Sequence, residues 1–131
     1  MHFQAEIDNH VIEEVNVDLE FIIDFLKQMN HEISSFCTLS YDDYNYVQCA
    51  GSIEKMTIEY RKSSGNSFEH SVLGTESSAI IDATIKYSGG EIILKSNEIL
   101  NLDDAIEVFT TFYKTQSVLD KYKKRDITSI F

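Results

Sequence analysis

Residues 33–62 read Ile33-Ser34-Ser35-Phe36-Cys37-Thr38-Leu39-Ser40-Tyr41-Asp42-Asp43-Tyr44-Asn45-Tyr46-Val47-Gln48-Cys49-Ala50-Gly51-Ser52-Ile53-Glu54-Lys55-Met56-Thr57-Ile58-Glu59-Tyr60-Arg61-Lys62, and this stretch decides the fold. Its period is two. Ile33, Ser35, Cys37, Leu39 and Tyr41 fall on one face of an extended chain, and Ser34, Phe36, Thr38 and Ser40 on the other. Asp42-Asp43 supplies a tight turn, and residues 44–50 return as a second strand, which brings Cys37 close to opposite Cys49. Gly51-Ser52 interrupts the pattern, and residues 55–62 resume it with Met56, Ile58 and Tyr60 against Thr57, Glu59 and Arg61.

Working outward, the loop Ser63-Ser64-Gly65-Asn66 leads to a strand at 67–73 with Phe68, His70 and Val72 on one side. Residues 79–87 read as a longer strand, Ser88-Gly89-Gly90 as its turn and 91–96 as its partner, so the expectation is a meander of about six strands. Upstream, Asn16 is a candidate cap for a helix over 17–29, with Asp18 and Glu20 in its first turn and Leu19, Ile22, Ile23, Leu26 and Met29 along one stripe. Downstream, Asn101-Leu102-Asp103-Asp104 starts a second helix carrying Ala105, Ile106, Phe109, Phe112 and Tyr113, and Ser117 is a candidate cap for a short turn to Lys121. Residues 2–15 alternate loosely, as an edge strand would. The fold class expected is α+β: a twisted antiparallel sheet with an N-terminal and a C-terminal helix on one face, in a single domain spanning 1–131.

Charge narrows the function classes. The chain has 22 acidic and 11 basic residues, a formal net charge of −11, which disfavours direct contact with nucleic-acid phosphates or anionic lipid. Residues 1–60 hold 12 acids and 2 bases, whereas 61–131 hold 10 acids and 9 bases, so the acidity belongs to the first half. No apolar run approaches a membrane span, and the first residues lack the pattern of a secretory signal, so a cytoplasmic protein with free, buried Cys37 and Cys49 is expected.

Chemistry-bearing patterns are sparse. His2, His10, His31 and His70 are far apart in sequence and neither cysteine has a ligand partner at zinc-binding spacing, so no metal site is expected, and no catalytic or cofactor-binding set is assigned. Gly89-Gly90 lies between strands, where no helix N-terminus follows to receive a phosphate. Glu59, Arg61 and His70 are the one group with acid–base potential, since the hairpin of 55–62 and 67–73 can bring them together; a cross-strand salt bridge beside a sheet histidine is the plainer reading. Tyr41, Tyr44, Tyr46 and Tyr60 gather around the first two hairpins with Asp42 and Asp43, a composition suited to a protein interface.

The run Tyr46-Val47-Gln48-Cys49-Ala50-Gly51, then Thr57-Ile58-Glu59-Tyr60-Arg61, His70 and Gly74, and finally Leu102-Asp103-Asp104-Ala105, Phe109, Tyr113, Tyr122 and Arg125-Asp126-Ile127, resembles the small α+β immunity proteins of bacterial polymorphic-toxin and contact-dependent inhibition systems. The resemblance spans about residues 44–128. It implies a protein that neutralises a cognate toxin by binding it, without cofactor or turnover. The expected partner is a basic toxin domain, with a nuclease as one such candidate, met by an acidic, Tyr-containing surface drawn from Glu13, Glu14, Asp18, Tyr41, Asp42, Asp43 and Tyr44. The rival expectation is a small-molecule-binding domain or small enzyme with a pocket near His70 and Glu59.

Overall fold

In a computed structural model describing residues 1–131, the chain runs β1 (His2–Ile7), β2 (His10–Val15), α1 (Leu19–Leu26), β3 (Phe36–Asp42), β4 (Asn45–Gly51), β5 (Met56–Ser64), β6 (Ser67–Gly74), β7 (Asp82–Tyr87), β8 (Gly90–Lys95), α2 (Leu102–Thr115) and β9 (Lys123–Asp126). The α+β class is as the sequence indicates. Seven strands form one antiparallel sheet in the order β2-β1-β3-β4-β5-β6-β9, and β7 and β8 form a separate two-stranded ribbon. Strands β3 to β6 are the expected meander, and Cys37 does pair with Cys49.

Several boundaries move, each for a local reason. The turn of the β3–β4 hairpin is Asp43-Tyr44, one residue later than Asp42-Asp43, because a bulge at Tyr41 shifts the register so that Asp42 pairs with Asn45. Strand β3 begins at Phe36, since Asn30 takes the backbone N–H groups of Glu32 and Ile33 on its side-chain oxygen and holds the chain before it in a turn. Residues 2–15 give two strands: Asp8 and Asn9 both adopt positive φ (51° and 67°), the conformation of a two-residue turn that matches sheet twist. The regular part of α1 is shorter than 17–29, and its cap is Asp18, whose carboxylate accepts from Phe21 N–H at 2.8 Å, while Asn16 takes a left-handed φ of 57° outside it. Residues 117–121 form no third helix; bends lead from α2 into β9. The basic run itself is a strand, anchored where Arg125 donates from Nε and Nη2 to both oxygens of the buried Glu98 carboxylate at 2.8 and 2.9 Å.

One face of the large sheet holds the core. Phe3, Ala5, Cys37, Leu39, Val47, Cys49, Met56, Ile58, Tyr60 and Leu73 meet Ile22, Phe25 and Leu26 of α1 and Ala105, Val108, Phe109 and Phe112 of α2. Phe25 lies edge-on to Phe3 at 5.8 Å and Phe112 edge-on to Tyr60 at 6.4 Å, so each helix is seated on the sheet by an aromatic pair. Both thiols are free and buried; burial pushes the Cys49 thiol up to about 12 and the Cys37 thiol well above its usual value.

The opposite face is polar and only partly covered. Ribbon β7–β8 lies over its middle, where Ile85 meets the backbone at Gly51. Gly51 has φ 125°, and a side chain there would overlap the Lys55 carbonyl oxygen, which is why the pattern breaks at that residue. The ribbon's turn is pinned by Glu6: Ser88 Oγ donates to Glu6 Oε2 at 2.6 Å, Ser35 N–H and Oγ–H donate to Oε1, and Ser88 N–H donates to Ser35 Oγ. Burial pushes the Glu6 carboxyl up, yet the bonds from Ser88 and Ser35 outweigh it and hold the group below its usual range.

Candidate functional site

Register explains what collects at the end of the sheet where the chain leaves β3. Tyr46 of β4, Arg61 of β5 and His70 of β6 stand side by side, on the face away from the helices. Beyond them lie the β3–β4 tip with Tyr41, Asp42, Asp43 and Tyr44, and the β5–β6 turn, tied to it by Asn45, which accepts from Ser63 N–H at 3.0 Å. Tyr44 stacks on Phe68 with ring centres 6.4 Å apart, and Phe68 meets Phe131 edge-on at 6.3 Å. Tyr44, Ser63, Gly65, Asn66, Ser67, Phe68, Thr128 and Phe131 thereby line an open concavity of about 530 Å³.

The candidate surface residues divide by what they already hold. Tyr41 and Tyr44 are 58% and 56% exposed, and Asp43 is exposed beside them. Asp42 is engaged: hydrogen bonds from the Asn45 amide and from Tyr44 N–H hold its carboxyl below the usual range. Asp18 caps α1. Glu13 and Glu14 are exposed on β2, the outer strand at the sheet's acidic edge, where Gln4 and His2 approach Glu13 at 3.5 and 3.7 Å. Charged residues on an outer strand also discourage pairing with another sheet. The contiguous group is therefore Tyr41, Asp42, Asp43 and Tyr44, with Phe68 and Phe131 added by the fold; Glu13 and Glu14 lie across β1 from it.

The tyrosines split. Tyr60 belongs to the core and Tyr46 is half-buried, edge-on to His70 at 6.0 Å, so of the four only Tyr41 and Tyr44 offer their rings to solvent. Phe68 gives a partial signal in sequence, as the apolar residue nearest a Gly-containing turn; Phe131 gives none, because its place follows from the 3-10 turn Thr128–Ile130 that bonds back to His70, with Thr128 Oγ accepting from His70 N–H at 2.9 Å.

Glu59, Arg61 and His70 do converge. His70 Nε2 lies 2.6 Å from Glu59 Oε1, and Arg61 Nε–H donates to His70 Nδ1 at 2.9 Å. A proton on Nε2, donated to the carboxylate, leaves Nδ1 free to accept from Arg61, so one tautomer satisfies both neighbours. The imidazole is fully buried, with Phe131 over it at 4.4 Å, and the guanidinium is held between Phe68 and Phe131 at 4.0 and 4.5 Å from the ring centres. His70 is thus closed off, whereas Glu59 also lines a cleft under ribbon β7–β8.

No three His, Cys, Asp or Glu side chains converge as a metal would need, and no helix is long and apolar enough to cross a membrane. No protein-family model matches the chain, and no curated protein matches it in sequence.

Proposed function

We propose that this protein is an immunity-type inhibitor that binds a basic bacterial toxin domain in the cytoplasm and blocks it, with a nuclease domain as the leading partner class. The observation that carries the reading is the β3–β4 tip: two exposed tyrosines flanking Asp43, continuous with the ring of Phe68. Rigid amphipathic rings add contact area at small entropic cost, which is the usual make-up of an interface anchor. The acidic first 60 residues form β1, β2, α1, β3, β4 and the start of β5, adjoining that tip, while Lys123 and Arg125 on the far edge strand are paired with Glu76 and Glu98, so the negative charge is concentrated on one side of the molecule. A partner using lysines and arginines to grip phosphate is steered to the acidic side and has its own phosphate-binding groups occupied there. The sequence resemblance supplies the toxin as the partner and blocking as the mechanism.

Co-expression with the product of the adjacent upstream gene tests this directly. Growth rescue by the wild-type protein and loss of rescue with Tyr44→Ala plus Asp43→Lys is the expected outcome. Rescue that survives both changes together would remove the tip from the mechanism, and failure of the wild-type protein to bind or rescue would remove the reading itself.

A further inference from the structure

The second face of the sheet carries polar side chains that the fold does not use. Register sets Thr38, Gln48 and Glu59 side by side on β3, β4 and β5, and Thr57 lies on the same face two residues before Glu59. Ribbon β7–β8 stands over them. Between ribbon and sheet is an open-mouthed cleft of about 370 Å³, whose apolar lining includes Phe36, Ala50, Tyr87 and Ile92.

No hydrogen bond in the molecule engages the side chains of Thr38, Gln48 or Thr57, and Glu59 uses only Oε1, on His70. Thr38, Gln48 and Glu59 are partly exposed where they line the cleft, while Thr57 is buried at 2% exposure beneath it. Stability alone favours apolar side chains beneath a covering ribbon, since polar groups in a half-dehydrated recess give up water without compensation. Apolar walls with a few convergent, uncommitted polar groups are instead the make-up of a small-ligand site.

The lining also states the ligand's charge. Glu59 is the one charged residue among the lining residues, and Phe36, two strands across the sheet from it, lines the same cleft with Tyr87. His70 occupies Oε1 and so orients the carboxylate, leaving Oε2 free. An anion is repelled by Glu59 and by the net charge of −11, whereas an ammonium group gains from the carboxylate, and an attached ring gains from the apolar lining. We propose that the cleft between ribbon β7–β8 and strands β3–β5 binds a small aromatic amine, its ammonium group donating to Glu59 Oε2 and its ring lying against Phe36, Tyr87 and Ile92. This site is separate from the β3–β4 tip and does not depend on the reading given to that tip.

The test is a titration of the ¹⁵N-labelled full chain with 2-phenylethylamine and, in parallel, with the neutral 2-phenylethanol. Saturable amide shifts confined to β3–β5 and β7–β8 are expected with the amine, and affinity for the alcohol weaker by roughly tenfold or more, as loss of a charge-assisted bond gives. Glu59→Gln weakens amine binding by a similar factor. Because that change also alters the bond to His70, Ala50→Leu provides an independent arm: it fills the cleft without touching Glu59 or His70, and abolishes the shifts while the rest of the spectrum stays folded. Absence of saturable shifts at millimolar amine, equal affinity for amine and alcohol, or unchanged binding by the folded Ala50→Leu variant would each overturn the proposal.

Discussion

Ser88 Oγ donates to Glu6 Oε2 at 2.6 Å across 82 residues of chain, and this bond fastens ribbon β7–β8 to the sheet. Ser88 also donates its N–H to Ser35 Oγ, which itself donates to Glu6, so three residues form one closed network. Removing one member leaves a buried carboxylate short of a donor. Ser88→Ala is expected to cost about 1–3 kcal/mol, the usual penalty for a hydrogen bond to a charged acceptor. Native-state amide exchange should show faster opening of β7 and β8 than of β3–β6. Uniform loss of protection across both sheets would mean that the ribbon is not fastened at this point.

Acid should release the same fastening. The folded Glu6 carboxyl lies below its ordinary value of 4.5, so the unfolded state binds its proton first as pH falls. The stability it contributes is complete above that value and is lost as pH drops through the lower, folded one. Between Ser88→Ala and wild type, the stability difference should therefore shrink with acidification through that window. Urea unfolding at several pH values measures it, and a difference independent of pH would refute the assignment.

His70→Ala removes the shared partner of Glu59 and Arg61 together with a buried ring. Lost packing and lost charged hydrogen bonds together should cost about 3 kcal/mol. A shift in the urea midpoint at unchanged slope is the expected record. A loss below about 1 kcal/mol would show that the two charges find water or each other at no cost.

Asp18 looks in sequence like a surface carboxylate available to a partner, yet it caps α1. Asp18→Ala should cost about 1 kcal/mol, whereas Asp18→Asn, which keeps an accepting oxygen, should cost much less. Thermal unfolding of the two variants separates capping from simple charge; equal losses would favour charge.

Tyr44 makes the opposite case. Its ring is mostly exposed and touches Phe68, so Tyr44→Ala should change stability by less than about 1 kcal/mol. Toward the partner an anchor tyrosine is worth about 2 kcal/mol or more, seen as a faster off-rate. Raising salt should lower the wild-type on-rate with little effect on the off-rate, and an on-rate indifferent to salt would remove the electrostatic part of the proposal.

Much of the architecture is legible in one sequence because residues 33–62 keep close to a period of two and a buried face penalises a slip of register. That rule puts Cys37 and Cys49 on the same core face and Glu59, Arg61 and Phe68 within reach of His70, while the bulge at Tyr41 sets the final pairing of the two cysteines. Helix α2 announces itself through Asn101, Asp103 and Asp104 and its apolar stripe. What local pattern could not carry was the fate of charged or irregular segments. Lys123–Asp126 has no apolar alternation, and it becomes a strand because Glu98, distant in sequence, anchors Arg125. Residues 82–87 alternate clearly, but pattern does not say which sheet a hairpin joins; that depends on Ser88 reaching Glu6 and on Ile85 reaching Gly51.

The sequence by itself determined the class of fold, the core face of the meander and the concentration of acid in the first half, because period and charge are properties of neighbouring residues. Tertiary structure alone decided that β1 enters beside β3, that the ribbon roofs a cleft over Thr38, Gln48 and Glu59, that Asp18 caps α1, and that Phe131 closes over His70. Each of those depends on contacts whose free energy is gained only once distant segments are already in place.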